Sequence, residues 1–443
     1  MLSSDDAAAY SPDRHARLQP TPPGHAAIMC LGCVTSPPMV VDSERFTRSH
    51  VMKRLLYLAA PAIVGAALLC LPAPSSAAAN AVGANAVIGE FATPSAASSP
   101  QGVDVAGDGS VWYSETTAGK IAVLRPDGSS AEFPVPNGGQ PFILKVADDG
   151  VWFTDSGTRA IGHLDPATGT VETYAIPSGA SPFFIQVGPD GSKWFTETAG
   201  IGRLSPNGEF TEWTVTLEHA DDNMEQLSLD PWGNVWFVER NFDGIGAAGT
   251  NKVRRLNPYS NVISTYRVPT LGGTPSGVVA NANGSVWVSE YYANAIALLN
   301  PFAAPHSDEV VQPNALKADS RTASVSPIRA ARTTGAKTQV TPSAHAVKPS
   351  VTLGWIEYPL PSAKAEPEDM RVDRHGRVWF EADAGFIGRL DPFEARITEY
   401  MIPSANSGYY NIALDPRSGL LWFTEAGVFA PVTTKIGYLD TRH

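Results

Sequence analysis

The sequence predicts an all-β chain: a seven-bladed β-propeller with four-stranded antiparallel blades, its ring closed by the N-terminal strand. Three observations predict it. A tryptophan inside a similar hydrophobic run recurs at Trp112, Trp152, Trp194, Trp236, Trp287, Trp379 and Trp422, with spacings of 40, 42, 42, 51, 92 and 43 residues, the period of a propeller blade. A glycine stands three residues before six of these tryptophans (Gly109, Gly191, Gly233, Gly284, Gly376, Gly419) and two before the other (Gly150), where a hairpin turn needs positive φ. The last unit stops at "KIGYLDTRH" after its third strand, while an unpaired "GEFATP" at 89–94 resembles the fourth strands "EFPVP", "ETYAIP" and "IEYPLP". The N-terminal strand is therefore expected to complete the seventh blade and remove a sheet edge.

Composition agrees. With 43% hydrophobic and 17% charged residues, 39 Gly and 37 Pro, the chain has ample core and many turns. The net charge of -12 disfavours nucleic acid or an anionic membrane surface as partner and favours a cationic ligand or a metal.

Taken from its start, the chain opens with residues 1–51, a polar segment lacking periodicity that is expected to be an unstructured leader or a start-site artefact. From Met52, "MKRLLYLAAPAIVGAALLCLPAPSSAAANA" has Lys53 and Arg54, an apolar run from Leu55 to Leu71, and small residues at Ala77 to Ala79. It reads as a signal peptide over 52–79, with an uncleaved anchor as the alternative. Export to the periplasm or the extracellular space is expected, with no membrane span after cleavage. Cys30, Cys33 and Cys70 all precede the cleavage point, so the mature chain would hold no disulfide or thiolate chemistry.

The propeller itself is assigned to 86–443. Each unit repeats the pieces of "SPFFIQVGPDGSKWFTETAGIGRLSPNGEFTEWTV": an apolar inner strand, a glycine turn, the Trp strand, "IGRL", a second turn and "EFTEWTV". Between the third and fourth strands of the fifth blade, about 301–350 is rich in Pro, Ala, Ser and Thr and almost without aromatics. It is expected to be a disordered insertion on the bottom face.

Strand alternation puts the start of each inner strand and the end of each second strand on one face, the top. The inner-strand starts place Gln101, Phe142, Phe183, Glu225 and Ser276 around the channel mouth as candidate ligand contacts, followed by Glu368 and Tyr410 as candidate catalytic groups. Three residues after Trp come Glu115, Asp155, Glu197, Glu239, Glu290, Ala382 and Glu425, acidic in six of seven blades. Carboxylates there could hold a divalent cation, with Glu239, Glu290 and Glu425 as candidate ligands, or do acid/base work. Because no single site needs six copies, the structural reading, in which each acid accepts hydrogen bonds at a strand end, is favoured for the repeated acid. Departures from the repeat are more informative: Glu225, Glu368, and Ala382 with Glu381 and Asp383 on either side. His219, in "TLEHADDNMEQ", is the one histidine placed on the top face and is the third catalytic candidate. The repeated tryptophans are expected to be interblade packing.

The pattern "WFTETAGIGRL", "WFEADAGFIGRLDP" and "TEYMIP" resembles the streptogramin lyase family, also called virginiamycin B lyases, over about 86–443 apart from the insertion. The resemblance implies a seven-bladed propeller and magnesium-assisted elimination that opens a cyclic depsipeptide at its ester, without hydrolysis. It also implies histidines in a P-H-[AG]-I context opening the last two blades; the matching positions here are Glu368 in "EPEDM" and Tyr410 in "GYYNI". Two functions follow: a carbon–oxygen lyase with altered site residues, or a non-enzymatic propeller that binds a small molecule, a protein or a cell-envelope component. A lactone hydrolase-like activity, suggested by the acidic mouth, is a third. A monomer is expected.

Overall fold

The computed structural model describes residues 85–217, 222–241, 251–330, 332–404, 409–426 and 434–442, with the side chains of 241, 409 and 410 excepted. The leader, the expected signal peptide and His219 lie outside the described residues. The chain divides into the units Met1–Ala59 and Ala60–His443, and everything below belongs to the second.

Seven sheets form the blades, and each has five strands, not the expected four. Blade 1 runs outward through Val103–Val105, Val111–Glu115, Lys120–Leu124 and Ser130–Pro134; blade 2 through Pro141–Ala147, Gly150–Asp155, Ala160–Asp165 and Thr170–Ala175. Blade 3 is Pro182–Val187, Lys193–Glu197, Gly200–Leu204 and Glu209–Thr214, and blade 4 is Asp222–Leu229, Val235–Asn241, Lys252–Asn257 and Val262–Arg267. Blade 5 is Pro275–Ala280, Val286–Glu290, Ala295–Leu299 and Trp355–Pro359; blade 6 is Pro367–Val372, Val378–Ala382, Phe386–Asp391 and Arg396–Met401. Blade 7 takes Tyr409–Leu414, Leu421–Glu425 and Lys435–Asp440, and its fourth strand is the N-terminal Ala86–Ala92, paired in register from Val87 opposite Asp440 to Ala92 opposite Lys435. Inner strands of successive blades pack together around the ring, blade 7 against blade 1 included.

The fifth strands come from the segment expected to be disordered, which is the main correction to the sequence reading. Residues 306–352 form seven short strands that visit the outer edges in reverse ring order: His306–Val310 on blade 4, Pro313–Lys317 on blade 3, Asp319–Ser324 on blade 2, Ile328–Ala330 on blade 1. Ala336–Val340, Ser343–Ala346 and Ser350–Thr352 then cover blades 7, 6 and 5, each antiparallel to the fourth strand. The segment is a belt on the circumference, not a bottom-face loop. Strand twist explains how short links suffice. At about 20–25° per strand, a blade has turned by roughly a right angle at its rim, so an outermost strand runs along the circumference and leads to the next blade.

The repeated tryptophans pack within and between blades, as Trp194 does on Trp213 with ring centroids 5.5 Å apart and Trp379 on Tyr400 at 6.0 Å. The phenylalanine after Trp lies over the glycine of "IG": Phe195 is paired with Gly202, and a Cβ on Gly202 would come within 2.2 Å of its ring.

Candidate active site

In blades 2 to 7 the inner strand begins with a register shift, for example between Pro182 and Ile185 or Pro367 and Met370. The bulge bends the strand and re-aims the residues at the channel mouth. In blades 2, 3 and 6 a hydroxyl on the preceding blade fixes it: Ser114 Oγ donates to the carbonyl of Phe142 at 2.6 Å, Thr154 Oγ1 to Phe183 at 2.7 Å and Ser289 Oγ to Glu368 at 2.6 Å. In blade 6 this Ser/Thr position is Glu381, a buried carboxyl.

The repeated acids are buried inside their blades. Four face a glutamate of the fourth strand: Glu115 with Glu132, Glu197 with Glu212, Glu290 with Glu357 and Glu425 with Glu90. A hydroxyl donates to the partner, Ser95 to Glu132 at 2.6 Å, Ser178 to Glu212 at 2.5 Å and Thr270 to Glu357 at 2.7 Å. Burial first, then the neighbouring carboxylate, pushes Glu115, Glu197 and Glu425 up to about 8 and Glu290 well above its usual range, which favours the protonated form of each repeated acid at neutral pH. Asp155 instead accepts from Gln140 N at 2.7 Å and Thr158 Oγ1 at 2.6 Å. Glu239 is paired with Lys252 at 3.1 Å and with Arg254. The expected metal ligands Glu239, Glu290 and Glu425 therefore sit in three different blades, each engaged by its own neighbours, and do not form one site.

The structure gathers a different group, in blades 4 to 6. Arg240 Nη1 donates to Glu368 Oε1 at 2.8 Å and to Ser276 Oγ at 3.0 Å, and its guanidinium lies 4.4 Å from the centroid of the Tyr291 ring. The Tyr291 hydroxyl donates to Asp383 Oδ2 at 2.6 Å and Glu366 Oε2 at 3.2 Å. Burial, opposed by Arg240 and reinforced by Glu368, raises Glu225 to about 7; burial and Glu368 raise Asp383 to about 7. Arg240, Tyr291 and Glu225 are buried, while Glu366, Glu368 and Asp383 are half-buried at the mouth. Of the residues expected from sequence, Glu225, Ser276 and Glu368 are thus brought together.

The others stand apart. Phe142 and Phe183 meet edge to face at 6.4 Å, and Gln101 bonds Ser99 at 3.1 Å. Tyr410 lies in the first strand of blade 7; its side chain is outside the described residues. Arg240, Tyr291 and Asp383 share one repeat position, directly after the acid, where other blades carry Thr116, Ser156, Thr198 and Ala426. Their departure from small residues is the signal that would have found them.

Beneath the mouth a polar layer crosses the channel. Asp369 accepts from Gln226 of blade 4, from Asn411 Nδ2 at 2.8 Å and Ile412 N at 2.9 Å of blade 7, and from Arg371. Grooves also open on the opposite face, among the turns; one of 610 Å³ between blades 7 and 1 is lined by Asp108, Arg125, Arg417 and Trp422. They share no residue with the carboxyl cluster.

Magnesium, which the sequence resemblance implies, does not fit this cluster. Among the described residues no three histidine, cysteine or carboxylate side chains are placed to hold one ion, and the guanidinium of Arg240 already lies against Glu368.

Comparison with known proteins agrees with the geometry of the ring. Residues 86–317 match the family model described as the virginiamycin B lyase family. A virginiamycin B lyase of Nocardia farcinica (strain IFM 10152) is 30% identical over 200 residues, which cover 44% of this chain and 64% of that protein, a little under two thirds of its length. The crystal structure of virginiamycin B lyase from Staphylococcus aureus superposes with a TM-score of 0.59 at 22% identity, over 80% of this chain and 98% of that one. A streptogramin B lyase structure gives 0.60 at 23%, with the same coverage. These two likenesses carry the fold.

Proposed function

Because this chain belongs to the virginiamycin B lyase family, we propose that its top face opens an ester of a cyclic depsipeptide or a related compound by carbon–oxygen elimination. The observation that carries the reading is the Asp383 carboxyl, held by Tyr291 at 2.6 Å beside the Arg240–Glu368 pair and ionising at about 7, the range that suits a general base at neutral pH. In the reaction a carboxylate at the mouth, Asp383 in the first place, takes the proton from the carbon next to a carbonyl. That carbon's electron pair becomes the new double bond, the carbon–oxygen bond breaks, and the ester oxygen leaves with its electrons as a carboxylate. Arg240 donates N–H groups toward the oxygen that gains charge. No water is consumed, so a cyclic substrate gives an open product of equal mass.

A second reading, a binding propeller without turnover, is favoured by one observation: Glu368, at a position where the family resemblance implies histidine, is engaged by Arg240. One experiment separates the two. Purified protein is incubated with a cyclic depsipeptide, with and without Mg²⁺, and followed by chromatography and by absorbance of the unsaturated product. The lyase reading expects a product that Asp383→Asn reduces by about 10²–10⁴-fold; binding without product under either condition leaves the second reading. The signal-peptide-like segment at 52–79 supports an exported mature protein, which cell fractionation tests.

A further inference from the structure

We propose that Arg240 is the resident cation of the mouth: its guanidinium supplies the positive charge that the carboxyls of Glu225, Glu368 and Asp383 would otherwise need from a metal ion, and makes the site independent of metal. The geometry supports this on three sides. Arg240 forms a 2.8 Å ion pair with Glu368 and donates at 3.0 Å to Ser276. Its face lies 4.4 Å from the centroid of the Tyr291 ring, and Tyr291 in turn holds Asp383 and Glu366 through its hydroxyl. Finally, Arg240 and Glu225 are 8% and 4% exposed, so their electrostatic interaction is little screened. With Arg240 removed, Glu225, Glu366, Glu368, Glu381 and Asp383 would face one another with no described cation in the cluster.

The chemical difference is one of shape and hydration. Magnesium requires near-octahedral oxygen ligands and keeps several waters, whereas a guanidinium offers a planar fork of N–H donors and remains charged at any working pH. A site built on Arg240 binds a carbonyl or carboxylate oxygen by directed hydrogen bonds, and the position of Glu368 depends on that fork. Arg240 is in this respect a positioning residue as well as a donor. The inference rests on the proposed reading for the role of the site, but its test reads ion binding and not turnover, so either can fail alone.

Mg²⁺ is titrated by calorimetry into wild type, Arg240→Met, Arg240→Lys and the double variant Arg240→Met/Glu368→Gln, with thermal melts in parallel. Expected are no saturable Mg²⁺ binding and no Mg²⁺-dependent melting shift in wild type or Arg240→Lys. Arg240→Met should gain a one-site isotherm and a Mg²⁺-dependent rise in Tm, and the double variant should lose both. Saturable Mg²⁺ binding by the wild type that Glu368→Gln abolishes overturns the proposal, as does a folded Arg240→Met that gains none. If Arg240→Met does not fold, wild type and Arg240→Lys decide: saturable binding by either overturns it, and its absence from both upholds it.

Discussion

Gly202 lies under the ring of the fully buried Phe195, where a Cβ would come within 2.2 Å of that ring and 2.4 Å of Glu197 Oε1. Gly202→Ala should destabilise the fold by about 1–3 kcal/mol through overpacking, read as a lower urea midpoint with unchanged slope. The carboxyl pair beside it makes a pH-dependent contribution. The Glu197 pKa is raised, to about 8, so the folded state binds a proton the unfolded chain has released. The stability this gives is complete below the ordinary carboxylate range and is lost as pH rises toward about 8, at no more than about 1.4 kcal/mol per pH unit for each such group. Tm is therefore expected to fall between about pH 5 and about pH 8, and to fall less in Glu197→Gln, which keeps the shape without the proton. Parallel pH profiles for the two proteins would show that the pair does not titrate. At this scale the sequence separated repeated acids from exceptional ones. It could not show that Arg240 reaches across from blade 4 to Glu368 of blade 6, because that contact spans 128 residues and exists only once the ring is closed.

The belt belongs to the scale of elements. Its composition looked like a linker, since it has almost no aromatics and most of its side chains are exposed. Yet it carries a pattern: Val311-Gln-Pro313, Val325-Ser-Pro327, Val340-Thr-Pro342 and Val347-Lys-Pro349 repeat one small motif. Those valines pack on blade clusters, and the N–H groups of Val311, Val325 and Val347 bond turn carbonyls of Asn261, Gly169 and Ala395 at 2.9, 2.8 and 2.8 Å. Four such anchors spread over seven blades are too sparse to read as strands. The strands form because each fourth strand offers an unpaired edge. Asn300 N donates to Gly354 O at 2.7 Å, so a short loop in place of 303–352 can join the third and fourth strands of blade 5. Such a variant should fold into a ring of four-stranded blades with a lower Tm and, with its edges uncovered, self-associate in a concentration-dependent way by light scattering. A variant that stays monomeric with unchanged Tm would show that the belt protects nothing.

For the whole molecule, closure is the decisive contact. Ala86–Ala92 is bonded to Lys435–Asp440 on one side and to Ala336–Val340 of the belt on the other, joining the start, middle and end of the propeller in one sheet. Deleting 86–92 leaves blade 7 without its fourth strand, and the buried Ile88 and Ala86 leave the core with it. Unfolding by urea should then lose its single transition and begin at lower concentration; a single transition at the wild-type midpoint would place the closure elsewhere. The number of blades, their strand order, the fold family and the closing strand were all legible in the sequence by itself, because each depends on a local period of apolar residues and turn glycines repeated seven times. Only the tertiary structure decided the belt's path and the choice of site. Both depend on which parts of different blades lie side by side, and a ring brings together residues that no sequence interval relates: a belt valine with the blade it crosses, and Arg240 with Glu368.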